Sequence, residues 1–164
     1  MKPTDVLQQY FGYTSFRPGQ DAVIRSLLAG RDSLAIMPTG AGKSLCFQIP
    51  ALLMDGVTVV ISPLLSLMKD QVDALAAQQV AATYINSLCT FAELQERFRL
   101  LRQGRVKLVY VSPERLQNEF FTNFMRTVPV AMVVVDEAHC VSQWGHDFRP
   151  GYRLIKDWIA SLPV

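Results

Sequence analysis

A glycine-rich stretch, "MPTGAGKS" at residues 37–44, lies between two apolar segments. Gly40 and Gly42 allow backbone torsions and close approaches that a side chain would block. Successive N–H groups in such a turn form a concave anion site, and a helix that begins near Lys43 adds the positive end of its dipole. Lys43 can reach β- and γ-phosphate oxygens, and the Ser44 hydroxyl is placed to ligate Mg²⁺. The predicted phosphate-binding loop consists of Thr39, Gly40, Ala41, Gly42, Lys43 and Ser44.

This loop departs from the general phosphate-loop pattern at one position. The general pattern has a glycine five residues before the second loop glycine, and this chain has Met37 there. The departure indicates a subset of motor proteins. The alternative is a glycine-rich turn that only caps a helix, but the strand pattern before the loop and the helix pattern after it favour a phosphate site.

A pair of acids ends the apolar run "VAMVVVDEAHC" at residues 130–140. In a parallel sheet, an acid at the end of a neighbouring strand faces the same edge as the phosphate loop. We therefore predict that Asp136 holds the Mg²⁺ shell and that Glu137 orients or deprotonates the attacking water. His139 would sit where the nucleotide state is sensed, although a lone histidine is more often structural. The predicted catalytic set is Lys43, Asp136, Glu137 and His139; the alternative is ordinary surface acids.

The elements that must position these residues alternate along the chain. Continuous apolar runs, typical of strands buried on both faces of a parallel sheet, are separated by helical patterns. The predicted strands are 33–37, 57–62, 81–85, 107–112 and 130–137. The predicted helices are 18–29, started by Pro18, then 43–54, 64–78, 90–103, capped by Thr90, 113–126 and 151–161. This alternation predicts an α/β domain with a parallel sheet, helices on both faces and right-handed crossovers.

Composition limits the class of protein. The chain has 164 residues, half of them apolar, and a formal charge of +2, so any nucleic-acid partner must be recognised at local sites. Its three cysteines form no CxxC pair, which fits a reducing compartment and small buried side chains. No signal peptide is visible, and no apolar run approaches the roughly 20 residues that span a bilayer. We expect a cytoplasmic protein, no membrane partner, and a domain that is a fragment of a longer chain.

"DEAH" at 136–139 and "PTGAGKS" at 38–44 together resemble the superfamily 2 helicases. Further stretches resemble the RecQ family of DNA helicases, over about residues 10–153: "FGYTSFRPGQ", "SPLLSLMKDQV", "SPERL" and "DEAHCVSQWGHDFRP". The resemblance implies a RecA-like phosphate-loop NTPase domain, incomplete at its C-terminus, as the first motor domain. It also implies ATP and Mg²⁺ as cofactors.

The resemblance assigns "FGYTSFRPGQ" at 11–20 to adenine recognition. Tyr13 would stack on the base, Gln20 would pair with the N6 and N7 edge of adenine, and Arg17 would pack near the base or ribose. The alternative is a helix N-terminus with a core aromatic residue.

DNA contacts are also implied by the resemblance. The loops after two strands would touch the DNA backbone through Ser62 and Ser112, with Lys69 and Arg115 adding charge. The loop at 140–153 mixes aromatic and basic side chains, which suit stacked bases and phosphates of single-stranded DNA. The implied contacts in this loop are Trp144, His146, Phe148 and Arg149, and Arg153 adds to its basic character. Alternatively, its aromatic side chains fold back into the core.

The resemblance therefore implies the ATP-binding half of an ATP-dependent DNA helicase that moves 3′ to 5′. Its partners would be single-stranded and partly duplex DNA in recombination and repair, and, in a bacterium, it would associate with the nucleoid. The second motor domain, which would supply an arginine finger, is absent from these 164 residues, so we expect weak ATP hydrolysis and no unwinding. Two alternatives stay open: a phosphate-loop NTPase or kinase unrelated to DNA, and a module that binds nucleotide or DNA without turnover.

Overall fold

The computed structural model describes residues 1–33, 42–136 and 155–162. The chain forms two compact units, Met1–Asp55 and Gly56–Val164. The predicted strand at 33–37 lies outside the described residues except for Ser33. We describe each unit by itself.

The described part of the first unit is helical. Helix α1 (Pro3–Val6) continues into a π-helical turn at Leu7–Phe11 and was not predicted, although a proline in a first turn is typical of a helix start. The other helices are α2 (Gln20–Leu28) and α3 (Leu45–Leu53). The core of this unit is formed by four buried side chains, Val6, Leu7, Ile24 and Ile49.

Helix α2 begins later than predicted. Pro18 lies in a turn, and Gly19 precedes the helix with φ of 90°, a left-handed conformation that glycine adopts without strain. The helix therefore starts at Gln20, whose backbone N–H donates to the Arg17 carbonyl (3.1 Å). This offset places Gln20 in the first turn, at the start of the helix.

The second unit contains a parallel sheet of four strands. They are β1 (Val57–Ile61), β2 (Ala82–Ile85), β3 (Leu108–Val111) and β4 (Val130–Val135), in the spatial order β2-β3-β1-β4. Strand β1 pairs in parallel with β3 and β4, and β2 pairs in parallel with β3. The parallel α/β fold predicted from the sequence is confirmed.

Helices follow the strands of this unit. They are α4 (Leu65–Ala77), α5 (Phe91–Arg102), a 3₁₀ helix (Pro113–Gln117), α6 (Glu119–Met125) and α7 (Ile155–Ser161). The prediction that Thr90 caps α5 is confirmed: its hydroxyl accepts from Glu93 N (3.2 Å), and Glu93 Oε1 accepts from Thr90 N (2.9 Å). The prediction of one helix over 113–126 is wrong. Asn118 interrupts it, because its side-chain oxygen accepts from Phe121 N (2.9 Å) and starts α6 separately.

The sheet is buried on both faces. One face joins a core that includes side chains of α5, α6 and α7, among them the fully buried Phe121 and the nearby ring of Trp158. The alternate residues Val60, Leu108 and Tyr110 point to the opposite face and are fully buried too. Strand β4 differs from the prediction of full burial: after Val130 its side chains are half-buried.

Candidate functional site

The first unit contains a cavity of about 510 Å³. Its lining comes from the π-helical turn, the segment before α2, the start of α2 and the residues that lead into α3. The lining residues are Leu7, Tyr13, Ser15, Arg17, Gln20, Gly42, Lys43, Ser44 and Leu45. The fold therefore brings the segment predicted to recognise adenine together with the described end of the predicted phosphate loop.

Three of these lining residues were not predicted, namely Leu7, Ser15 and Leu45. Ser15 lies inside the motif "FGYTSFRPGQ", so its position next to Tyr13 and Arg17 was the available indication. Leu7 belongs to the N-terminal π-helical turn, for which no helix was predicted. Leu45 directly follows the loop residues and begins α3.

Gln20 is buried against the residues that lead into α3. Its side-chain oxygen accepts from Arg17 N (2.8 Å), and its Nε2 donates to the Gly42 carbonyl (3.0 Å). Gly42 has φ of 73°, and a Cβ atom on it would collide with Gln20 Nε2. The backbone conformation therefore favours glycine at position 42, and any larger residue there would displace the Gln20 amide.

The predicted phosphate-contacting residues lie at the start of α3. Lys43 and Ser44 directly precede the helix, and backbone N–H groups of Cys46 and Gln48 donate to their carbonyls (3.1 and 2.9 Å). Within the described residues, the Ser44 hydroxyl makes no capping hydrogen bond to α3. The positive end of the α3 dipole and a hydroxyl not used for capping thus lie beside the cavity, an arrangement that favours an anionic ligand.

Tyr13 differs from Gln20 in its exposure. Its side chain is about half exposed (53%), whereas Gln20 is 1% exposed. An aromatic ring with an accessible face can stack on a planar ligand. The cavity therefore has an aromatic surface and anion-binding elements in its lining, as a nucleotide requires.

The second unit positions its polar residues at the carboxyl ends of neighbouring strands. Ile61, Val111 and Val135 are in register across β3, β1 and β4. The next residues along the chain, Ser62, Ser112 and Asp136, therefore leave the sheet at the same edge. Two hydrogen bonds hold this edge together, from Ser62 N to the Val111 carbonyl (3.0 Å) and from Asp136 N to the Ile61 carbonyl (2.8 Å).

The four described residues predicted to contact DNA differ in exposure. Ser62 and Ser112 are buried, and the Ser62 hydroxyl accepts from Leu64 N (3.4 Å) at the start of α4. Lys69 is exposed and pairs with Asp73 (2.6 Å), and the hydrogen bond to this carboxylate raises the pKa of Lys69. Arg115 is half-buried in the 3₁₀ helix. Their role in DNA binding stays a prediction.

Asn86, which was not predicted as a site residue, follows β2 at the same edge and is fully buried. Its side-chain oxygen accepts from Leu88 N (2.9 Å), and its Nδ2 donates to Met68 Sδ on α4 (3.4 Å). It therefore fixes the turn after β2 to α4. A polar residue directly after an apolar strand was the available indication.

Several predicted residues lie outside the described residues: Thr39, Gly40, Ala41, Glu137, His139, Trp144, His146, Phe148, Arg149 and Arg153. In the described ranges, no three His, Cys, Asp or Glu side chains are grouped as a metal ion would require. A search of the same ranges finds no helix with the length and apolar character to cross a membrane.

Residues 17–162 match the family model described as DEAD/DEAH box helicase, which covers most of the chain. The chain belongs to the DEAD/DEAH box helicase family. Within this family, it is similar to a protein of Pasteurella multocida named ATP-dependent DNA helicase RecQ, with 57% identity over 159 residues. A protein of the same name from Bacillus subtilis is 54% identical over 152 residues. These alignments cover 97% and 92% of this chain but 25% and 26% of the two relatives, so the chain spans about a quarter of their length.

Solved helicase structures share the fold of this DEAD/DEAH box chain. The crystal structure of the DUF1998 helicase MrfA bound to DNA and AMPPNP has a TM-score of 0.68 at 16% identity, covering 86% of this chain and 21% of that one. A hypothetical ATP-dependent RNA helicase from Sulfolobus tokodaii has a TM-score of 0.63 at 15% identity, covering 98% and 55%. These similarities extend the family assignment to the three-dimensional fold.

Proposed function

We propose that this chain is the ATP-binding half of an ATP-dependent DNA helicase of the RecQ type, which moves 3′ to 5′ on single-stranded DNA. The observation that carries this proposal is the cavity of the first unit. It combines an exposed aromatic ring, Tyr13, with Lys43 and Ser44 at the start of α3. The identity to proteins named RecQ supports DNA, rather than RNA, as the nucleic acid.

In the first unit, Tyr13 stacks on adenine, Arg17 lies near the base or ribose, and Lys43 binds the terminal phosphates. Gly42, together with the predicted loop residues before it, contributes backbone N–H groups. Mg²⁺ fits the chemistry of the Ser44 hydroxyl, since this cation prefers oxygen ligands. When bound, it neutralises charge on the transferred phosphoryl group.

In the second unit, we assign Asp136 as an oxygen ligand for Mg²⁺, and Glu137 the positioning of the attacking water. His139 is the residue that senses the nucleotide state. The strand edge that carries Asp136 also carries Ser62 and Ser112, the two serines assigned to the DNA backbone. Lys69 and Arg115 add charge, and the segment at 140–153 supplies aromatic and basic contacts to single-stranded DNA.

Steady-state ATP hydrolysis by this chain, with and without single-stranded DNA at low salt, tests the proposal. Low salt matters because contacts with the phosphate backbone weaken steeply as salt rises. We expect weak turnover that DNA stimulates and that the Glu137→Gln variant lacks, with no unwinding of duplex. ATP turnover that is insensitive to DNA would instead favour an NTPase unrelated to DNA.

Nucleotide binding is tested separately with a fluorescent ATP analogue. We expect Mg²⁺-dependent binding that Lys43→Ala abolishes, because Lys43 is the cation assigned to the phosphates. Folded wild-type chain that does not bind the analogue would refute the phosphate-site assignment.

A further inference from the structure

The side-chain amide of Gln20 has a fixed orientation. The Gln20 backbone N–H donates to the Arg17 carbonyl (3.1 Å), and Arg17 N donates to Gln20 Oε1 (2.8 Å), so both hydrogen bonds join the same two residues. Because only the oxygen of a carboxamide can accept from an N–H group, the Arg17 bond determines which end of the amide is the NH₂ group. Gln20 Nε2 then faces the Gly42 carbonyl at 3.0 Å.

The Gly42 carbonyl receives a second donor, the backbone N–H of Leu45 in the first turn of α3 (3.2 Å). Two donors on one carbonyl fix the plane of the peptide bond between Gly42 and Lys43. In a trans peptide the N–H group points opposite to the carbonyl, and the described residues contain no cis peptide bond. The Lys43 N–H is therefore directed away from Gln20 and from α3.

We infer that Gln20 is a positioning residue for the phosphate loop: by holding the Gly42 carbonyl, it orients the Lys43 N–H for a phosphate oxygen. This inference rests on the proposed nucleotide site and deepens it. A preformed N–H donor binds an anion without first being ordered. The affinity is therefore higher than that of a loop that must become ordered on binding. The loss of Gln20 then lowers the affinity for the phosphates whether or not the ligand carries a base.

This role differs from the reading of adenine that the sequence implies for Gln20. Reading of the base affects only ligands that carry adenine, whereas positioning of the loop affects any triphosphate. Inorganic tripolyphosphate with Mg²⁺ is the probe that separates the two roles, because it has the phosphates without the base. Its affinity is measured by its displacement of a fluorescent ATP analogue from the 164-residue chain at low salt.

The variant is Gln20→Met, which keeps the approximate side-chain length and removes both the donor to the Gly42 carbonyl and the acceptor for Arg17 N. We expect tripolyphosphate to bind about 3- to 10-fold more weakly, the effect of one intramolecular hydrogen bond. Gln20→Ala repeats the test with a shorter side chain, in case methionine displaces its neighbours. Far-UV circular dichroism and the thermal midpoint establish that each variant is folded.

Two controls accompany these variants. Gln48→Met replaces another buried glutamine of the same unit, one that does not line the cavity, and should leave tripolyphosphate affinity unchanged. Tyr13→Ala should weaken the ATP analogue but not tripolyphosphate, because its ring is assigned to the base.

The outcomes are distinguishable. Weaker tripolyphosphate binding in both Gln20 variants, with no change in Gln48→Met, supports the inference. Unchanged tripolyphosphate affinity with weaker ATP affinity means that Gln20 only reads the base, and the inference is wrong while the proposed function stands. Equal losses in the Gln20 and Gln48 variants also overturn it, since the effect is then a general loosening of the unit. Wild-type chain that binds neither ligand refutes the proposed function itself.

Discussion

Replacing Gly42 with alanine tests the close contact between the phosphate loop and α2. Gly42 has φ of 73°, and a left-handed backbone costs a residue with a Cβ roughly 1–2 kcal/mol. The new Cβ also displaces the Gln20 amide, which donates to the Gly42 carbonyl and accepts from Arg17 N. The loss of two hydrogen bonds adds about 1–3 kcal/mol. We therefore expect Gly42→Ala to destabilise the local structure by about 2–5 kcal/mol in total.

Gly30→Ala is the matched control for this prediction. Gly30 has nearly the same φ, 78°, and lies in the same unit, but a Cβ on it meets no atom of the described residues within 4 Å. It should therefore show the conformational cost alone, about 1–2 kcal/mol. The difference between the two variants measures the displacement of Gln20.

The assay is amide hydrogen exchange of peptides that cover α2 and α3, since it reports local opening free energies in the unit that contains both glycines. In a Gln20→Ala background, Gly42→Ala should cost only the conformational term, which gives a coupling energy of about 1–3 kcal/mol. Equal costs for Gly42→Ala and Gly30→Ala, with no coupling to Gln20, would refute the contact. The affinity for the ATP analogue should fall in Gly42→Ala and should not change in Gly30→Ala.

Three further predictions concern the second unit. Thr90→Ala removes the cap of α5 and should lower the free energy of unfolding in urea by about 1 kcal/mol. Hydrogen bonding to Thr90 N lowers the pKa of Glu93 below its ordinary value. The stabilisation by Glu93 is therefore present above the ordinary pKa and is lost as the pH falls through the lowered one; Glu93→Gln should remove this part of the acid dependence. Phe121→Ala empties a fully buried site and should lower the free energy of unfolding by about 3–5 kcal/mol. Phe120→Ala, at a residue that is 62% exposed, should lower it by less than about 1.5 kcal/mol in the same assay. Equal losses would contradict the packing described.

Strands and long helices of the second unit were predictable because their residues repeat one pattern over many positions. Each of the four described strands lies within the predicted run, since short runs rich in aliphatic, β-branched and aromatic residues are typical of strands buried in a parallel sheet. Helix bounds were less predictable, because single side chains determine them. Gly19 delays α2, and Asn118 separates the 3₁₀ helix from α6.

The candidate site was predictable in its residue types but not in its internal contacts. The motif at 11–20 and the loop that ends at Ser44 were both recognised, and the fold brings their described residues to one cavity. The hydrogen bond between Gln20 and Gly42 was not expected. It joins residues far apart along the chain, and an amide that can bind a base can equally bind a backbone carbonyl.

The strand order has a consequence for synthesis of the protein on the ribosome. Strand β1 forms its hydrogen bonds with β3 and β4, and not with β2, the next strand to be translated. The largely apolar strand Val57–Ile61 therefore emerges from the exit tunnel long before either partner exists, and loop closure must precede its pairing. Until β3 has been synthesised, the nascent chain exposes β1 as an unpaired, aggregation-prone strand. Chaperones bind surfaces of this kind.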